Sequence, residues 1–331
     1  MDRPTLGRRA GAAVGVDLRL VTKVAWMYHE EGRKQTEIAE ELHISQSRVS
    51  RLLKSAVQSG IVRTLVQPPP GVFTALEGAI EKTFGIAECL IVEARESEQA
   101  ITNDLGLAAA DYLMASLLPT ETIGLSSWSA TWLGATRHLR PFKEPVADHV
   151  VQLVGGVGSP AVQTQATLLL DRLARATGAE PLFLQTPGIV GDGRAREVIM
   201  ADPAIRRVVD VWDQLTVALL GLGSIDPSPL LRDSGNVVPR ALLDEIRDKG
   251  GVGDICARYF DAEGRPVDAD LDGRIVGISE QQLRRIPRRV VAAGGLRKLP
   301  AIRGALRGHW LDVLITDSET AAQLIEDAPD A

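Results

Sequence analysis

Apolar residues recur every three to four positions over three short stretches near the start of the chain. Leu20, Val21, Val24, Ala25 and Tyr28 predict a helix over residues 17–31, stopped by Gly32. Ile38, Ala39 and Leu42 predict a second over 35–42. Val49, Leu52, Leu53 and Ala56 predict a third over 46–59, ending at Gly60. His43 and Ile44 form a tight link, and Ser45 stands where its hydroxyl caps the third helix. Two short helices joined this closely, the second capped by serine, make the helix-turn-helix pattern.

Beyond residue 71 the period changes. Short apolar or β-branched runs at 89–92, 122–125, 150–154, 182–184, 216–220, 289–291 and 313–315 predict strands. Helical periods lie between most of them, for example over 100–116, 160–177 and 299–307. Strands alternating with helices imply a largely parallel sheet covered on both faces, a Rossmann-like α/β domain. Several strands run straight into glycine: Val154 into Gly155-Gly156, Leu220 into Gly221, and Val291-Ala292-Ala293 into Gly294-Gly295. Ligands of open α/β sheets bind at such carboxyl ends. The two patterns meet at Gln67-Pro68-Pro69-Pro70-Gly71, where three prolines hold the chain near polyproline II as a semi-rigid spacer. The expected organisation is a flexible terminus over 1–16, a helix-turn-helix domain over 17–66, a proline-rich linker over 67–71 and an α/β domain over 72–331.

Composition narrows the classes. The chain has 331 residues, 45% hydrophobic and 24% charged, as in soluble globular proteins. No apolar run approaches the roughly 20 residues needed to cross a bilayer. Arg3, Arg8 and Arg9 precede a Gly/Ala-rich stretch broken by Asp17, a poor secretory signal, so a frayed terminus and a cytoplasmic location are expected. Cys89 and Cys256 are too few and too distant for a disulfide framework or a cysteine-built zinc site, and the five histidines lack metal-binding spacing. No cofactor is expected. Residues 1–66 carry 11 Lys/Arg against 7 Asp/Glu, whereas the remainder carries 26 against 36. A basic head on an acidic body suits a polyanion-binding module joined to another function.

The outward positions of the third predicted helix are Gln46, Ser47, Arg48, Ser50, Arg51 and Lys54, hydrogen-bonding residues without a carboxylate. Glutamine suits adenine and arginine guanine in the major groove, while Arg48 and Lys54 equally suit phosphates. Double-stranded operator DNA is therefore the expected partner of this head. A solvated helix in a small bundle is the plainer alternative.

The run Thr36-Glu37-Ile38-Ala39-Glu40-Glu41-Leu42-His43-Ile44-Ser45-Gln46-Ser47-Arg48-Val49-Ser50-Arg51-Leu52-Leu53 resembles the DNA-binding head of the SorC family of bacterial sugar-responsive regulators. His43 stands at the turn position where a small residue is commoner. Gly253-Asp254-Ile255-Cys256-Ala257-Arg258-Tyr259-Phe260-Asp261-Ala262-Glu263-Gly264 is similar to that family's Gly-Asp/Glu…Phe-Asp-x-x-Gly segment. Gly294-Gly295-Leu296-Arg297-Lys298-Leu299-Pro300-Ala301-Ile302 resembles its Gly-Gly-x-x-Lys-x-x-Ala-Ile turn and helix, and Leu311 to Asp317 its closing strand. With Gly155-Gly156-Val157-Gly158 and Gly221-Leu222-Gly223-Ser224 in order, the resemblance covers most of residues 72–325.

The resemblance implies an effector-binding and oligomerisation domain akin to sugar-phosphate isomerases of the glucosamine-6-phosphate deaminase and ribose-5-phosphate isomerase type, working as a sensor. It implies a homotetramer, a dimer of dimers. It also implies a sugar or sugar-phosphate site built from Ser127, Ser129, Thr131, Gly155, Gly156, Gly158, Gln165, Gly223, Asp254 and Lys298. Physical chemistry fits several of these: glycine turns offer close backbone N–H donors and a lysine a positive charge. Asp254 suits sugar hydroxyls or, equally, an Asx turn. Ser127, Ser129 and Thr131 suit a ligand or a helix cap, and Ser129 stands where the family carries glycine, narrowing the room for a phosphate. Asp261 and Gly264 read as a β-turn, and Trp128, Trp132, Trp212 and Trp310 as core or subunit-contact residues. The cluster Arg284, Arg285, Arg288 and Arg289 reads as a solvated or oligomer-contact face. The function expected is a DNA-binding transcriptional regulator of carbohydrate metabolism. The alternative is an isomerase- or deaminase-type enzyme carrying a DNA-binding head, but no Asp/Glu–His constellation gathers on the glycine turns.

Overall fold

A computed structural model gives the fold, with residues 18–156, 160–226 and 238–326 described. The chain forms two compact units, Met1–Gln67 and Pro68–Ala331. In the first, α1 (Leu18–His29), α2 (Gln35–Glu41) and α3 (Gln46–Gln58) bury Val21, Val24, Ala25, Met27, Ile38, Ala39, Val49, Leu52, Leu53 and Ala56 in one core. Tyr28, expected inside, lies at the edge with its ring against His29, and the more pliable Met27 fills the core instead. The Ser45 hydroxyl caps α3 by accepting from the Arg48 N–H at 3.3 Å. His43 holds φ +52°, the left-handed turn that its sequence position demands.

The second unit is built on seven parallel strands: β1 (Glu88–Val92), β2 (Glu121–Leu125), β3 (Ala147–Gln152), β4 (Glu180–Leu182), β5 (Val217–Leu220), β9 (Arg288–Ala292) and β10 (Val313–Asp317). They lie in the order β1-β10-β9-β5-β2-β3-β4. Alternate strand residues enter two separate cores, Val217 and Leu219 on one face, Ala218 and Leu220 on the other. That two-sided burial explains why the strands read as continuous apolar runs. The strand expected over 150–154 begins earlier, at Ala147, and the one over 182–184 ends at Leu182. Helices α4 (Thr74–Phe84), α5 (Glu98–Ser116), α6 (Ala130–Ala135) and α7 (Pro160–Thr177) follow in chain order; later come Leu299–Arg307 and others. No described helix is long and apolar enough to cross a membrane.

From β2 the chain winds outward through β3 to β4, then returns to β5 on the other side of β2. The strand order therefore reverses between β2 and β5, which makes their carboxyl ends the switch point. Above it sits a small antiparallel sheet of β6 (Gly223–Ser224), β7 (Gly251–Ile255) and β8 (Arg258–Asp261). Its β7–β8 turn is Cys256-Ala257, both at positive φ, as a two-residue hairpin turn requires. Asp261 and Gly264 make the expected β-turn, with the Gly264 N–H donating to the Asp261 carbonyl at 2.9 Å.

Candidate DNA-reading face and effector cavity

In the helical unit, Gln46, Ser47, Arg48, Ser50, Arg51 and Lys54 are all exposed on α3. The opposite side of the helix is fixed by Val49, Leu52 and Leu53 in the core. Ser45 Oγ lies 3.1 Å from Ser47 Oγ, and Arg51 Nε donates to the Ser47 carbonyl at 3.4 Å. The face carries polar donors, acceptors and cations only, in the amino-terminal half of a capped helix, which is what groove reading needs.

In the α/β unit, a cavity of about 440 Å³ opens at the switch point. The turns after β2, β3, β5 and β9 line it, together with β7 and the first two turns of α5. Ser127, Ser129, Thr131, Gly155, Gln165, Gly223, Asp254 and Lys298 all border this one space. Gly156 lies behind it, beneath the Trp128 indole, where an added Cβ would stand 2.5 Å from the ring. Gly158 falls outside the described residues.

Asp254 and Lys298 are the charged centre. Asp254 sits in β7 opposite Gly223, where a Cβ would stand 2.0 Å from its Oδ1, so only glycine leaves the carboxylate room. Burial pushes its pKa up to about 6, against the pull of the Ala257 N–H, which donates to Oδ2 at 3.0 Å, and of the Lys298 charge. Lys298 ends the 3-10 turn Leu296–Lys298, and its ammonium donates to the Leu222 carbonyl at 2.9 Å. Burial, with Arg297 adding repulsion, brings its pKa down to about 8. Among the described residues Lys298 forms no salt bridge, so two opposite charges face one cavity with hydrogen-bonding capacity left on both.

The glycine turns do less than their sequence promises. The N–H groups of Gly155 and Gly156 donate to the Val276 and Thr186 carbonyls, both at 2.8 Å. Gly221 N–H donates to Ser126 Oγ at 2.6 Å, and Gly295 N–H to Asp317 Oδ2 at 2.6 Å. These donors tie strand ends together and are not presented to a ligand. Ser129 caps α6, its Oγ accepting from the Trp132 N–H at 3.3 Å. Ser127 Oγ points toward the Val154 carbonyl at 3.5 Å, leaving its hydroxyl free to turn to a ligand.

Sequence reasoning missed the α5 wall, Glu98, Gln99, Thr102 and Asn103, and also Arg137 and Arg297. Arg297 is paired with Glu98 at 2.8 Å and reaches Ser224 Oγ at 2.7 Å, closing the rim. The signal was present: a polar face at spacing one, four and five opens a helix whose later turns are buried. Trp128 is half-buried and lines the cavity, whereas Trp132, Trp212 and Trp310 are core residues. The arginine cluster is mostly structural. Arg284 bonds Glu280 and lies over Trp310, Arg288 bonds Glu121, and Arg289 bonds Asp312. No group of three His, Cys, Asp or Glu among the described residues could hold a metal ion.

A family model for a sugar-binding domain matches residues 70–326, and a MarR family model matches residues 24–71. The chain is 32% identical to the deoxyribonucleoside regulator of Bacillus subtilis (strain 168) over 312 residues, 93% of this chain and 98% of that one. It is 28% identical to the sorbitol operon regulator of Klebsiella pneumoniae over 94% of this chain and 98% of that one. The full-length crystal structure of the Klebsiella pneumoniae sorbitol operon regulator SorC superposes with a TM-score of 0.70 at 26% identity, covering 94% of this chain and 99% of that one. The sugar-binding domain of a Pseudomonas syringae pv. tomato regulator is 38% identical with a TM-score of 0.61, covering 77% of this chain and 99% of that one.

Proposed function

This chain belongs to the SorC family of sugar-binding transcriptional regulators, and from that membership we propose that its effector binds between Asp254 and Lys298 and changes the grip of its helix-turn-helix heads on operator DNA. The chain is a DNA-binding regulator responsive to a sugar or sugar phosphate, not an enzyme; the relatives compared above are regulators. The observation that carries the site is a buried acid and a buried base, neither in a salt bridge among the described residues, facing one cavity at the switch point.

Sugar hydroxyls donate to Asp254 and exchange hydrogen bonds with Ser127 and Thr131, while an electron-rich oxygen or anionic group meets Lys298 and the exposed Arg137. Because Gly155, Gly156, Gly221 and Gly295 already use their N–H groups, any phosphate would be met by Lys298 and Arg137 rather than by these four glycines. Asp254 belongs to the small sheet and Lys298 to the turn after β9 of the large one, so a bound effector clamps the two sheets together. A coupling of about 1–3 kcal/mol changes operator affinity roughly 5–150-fold.

Gln46, Ser47, Ser50 and Arg51 read bases, and Arg48 and Lys54 position the head on phosphates. One head covers one half-site, so the working form is a cytoplasmic homo-oligomer, a tetramer built as a dimer of dimers, with heads about 34 Å apart or a multiple of it. A thermal-melting scan against tetritols, pentoses and hexoses, each with and without phosphate, tests the sensor. A ligand at 100 times its Kd adds about 2.7 kcal/mol. A single sugar or sugar phosphate raising Tm, with Lys298→Ala insensitive to it, is the expected result; the same shift in both proteins would refute the site.

A further inference from the structure

Across the small sheet, Gly223 in β6, Asp254 in β7 and Tyr259 in β8 lie directly opposite one another. Opposite residues of antiparallel strands share one face, so Asp254 and Tyr259 stand side by side on it. Phe260, the next residue, turns to the other face and packs against Trp310 with ring centroids 5.2 Å apart. Tyr259 therefore borders the effector cavity together with Asp254.

Tyr259 is only 6% exposed, and among the described residues no group hydrogen-bonds its hydroxyl. The buried indoles of the same unit are not left in this state. The N–H groups of Trp132, Trp212 and Trp310 donate to the Leu220, Gln152 and Gly264 carbonyls at 2.9, 3.1 and 2.8 Å. Burying a hydroxyl without a partner is costly, and phenylalanine would fill the same space without that cost. Burial and the negative charge of Asp254 both push the Tyr259 pKa well above its ordinary value, so the phenol keeps its proton and can donate.

We propose that Tyr259 is a specificity-determining residue of the effector site, its hydroxyl bonding the effector oxygen next to the hydroxyl that Asp254 accepts. This rests on the site between Asp254 and Lys298 proposed above. A carboxylate only accepts hydrogen bonds, whereas a neutral phenol also donates. With Cβ atoms about 5 Å apart, the two groups match oxygens on adjacent carbons of one sugar or polyol. A phosphate placed here would be repelled by Asp254, so the polyhydroxyl end of the effector lies on the small sheet and any anionic group lies at Lys298 and Arg137. An effector lacking the oxygen that faces Tyr259 shuts the phenol away without a partner. The site thus selects against the deoxy sugar at that carbon.

The test is Tyr259→Phe in the full-length protein. Without effector, Y259F is expected to melt within about 2 °C of the parent or above it, because no protein contact is lost. A clear fall in Tm would make the hydroxyl structural and overturn the proposal. The second readout uses whichever tetritol, pentose, hexose or phosphate ester of these raises the parent's Tm most, together with its monodeoxy derivatives. Titration calorimetry is expected to show Y259F binding that compound about three- to tenfold more weakly. One monodeoxy derivative should lose a similar factor on the parent and bind both proteins alike. Equal affinity of parent and Y259F for the full compound, or every deoxy derivative losing equally on both proteins, overturns the role of Tyr259 and leaves the Asp254–Lys298 site standing. A panel in which no compound raises the parent's Tm refutes that site, and the role of Tyr259 with it.

Discussion

Replacing Lys298 by methionine removes a buried charge while keeping most of the side chain's volume. The amine falls from 10.5 to about 8 on folding, because burial strips water from it and Arg297 repels it. At about 1.4 kcal/mol per pKa unit, holding that charge in the folded protein at pH 7 costs up to about 3 kcal/mol. Lys298 keeps part of its surface in the cavity, where water screens it, so about half of that is a fairer figure. The lost hydrogen bond to the Leu222 carbonyl subtracts up to about 1 kcal/mol. Asp254, already near 6, loses the lysine's attraction and takes up a proton nearer neutrality, so the variant does not strand a second charge. Without effector, Lys298→Met should gain about 0.5–2 kcal/mol, which for a unit of this size raises Tm by roughly 1–6 °C.

Melting curves from pH 6.5 to 10 check the sign. A base whose folded pKa lies below its unfolded one is penalised fully below the folded value. Above it the penalty fades as the folded amine gives up its proton, and it is gone once the unfolded amine deprotonates too. The advantage of K298M should therefore be complete below pH 8 and shrink between 8 and 10.5. The effector that stabilises the parent should leave K298M unmoved. A variant that melts lower than the parent at pH 7, or keeps its full advantage at pH 10, would refute the view that this lysine is kept for a ligand at the expense of stability.

Two further outcomes separate the halves of the molecule. Gly223→Ala drives a methyl group to within 2.0 Å of Asp254 Oδ1, so the carboxylate must leave its place. Effector-induced stabilisation should vanish while operator binding without effector stays within about twofold, measured by melting and gel shift. Arg51→Ala should weaken operator binding by about 1–3 kcal/mol and relax preference at one base pair; an equal loss on random DNA would make Arg51 a phosphate contact.

The elements were legible where one force decided them. Helices over 160–177 and 299–307 end where their periodicity ends, and Ser45, the capping residue of α3, announced the helix-turn-helix. The small antiparallel sheet was not legible. β6 is two residues long, and the β7–β8 turn uses Cys256 and Ala257 at positive φ, where glycine or asparagine would have signalled it. That turn holds because Asp254 accepts the Ala257 N–H, a contact with no signature in the local sequence.

The same limit explains the site. The family resemblance singled out Lys298 and Asp254; by residue type alone a lysine after paired glycines and an aspartate after glycine suit an exposed helix start and an Asx turn equally well. It also suggested that the glycine turns would present N–H groups to a phosphate. Whether an N–H is free depends on partners far away in sequence. Ser126 lies 95 residues before Gly221, and Asp317 lies 22 after Gly295. The arginine cluster failed for a related reason. Arg288 looks solvated in sequence, yet its guanidinium donates to Glu121, 167 residues away, which is buried at the amino end of β2 and also accepts from Thr216. A charge or donor is functional only if the fold leaves it unmatched. Among the described residues of this cavity, Asp254 and Lys298 are buried charges without a salt bridge, and the proposed effector site rests on these two side chains more than on the glycine turns around them.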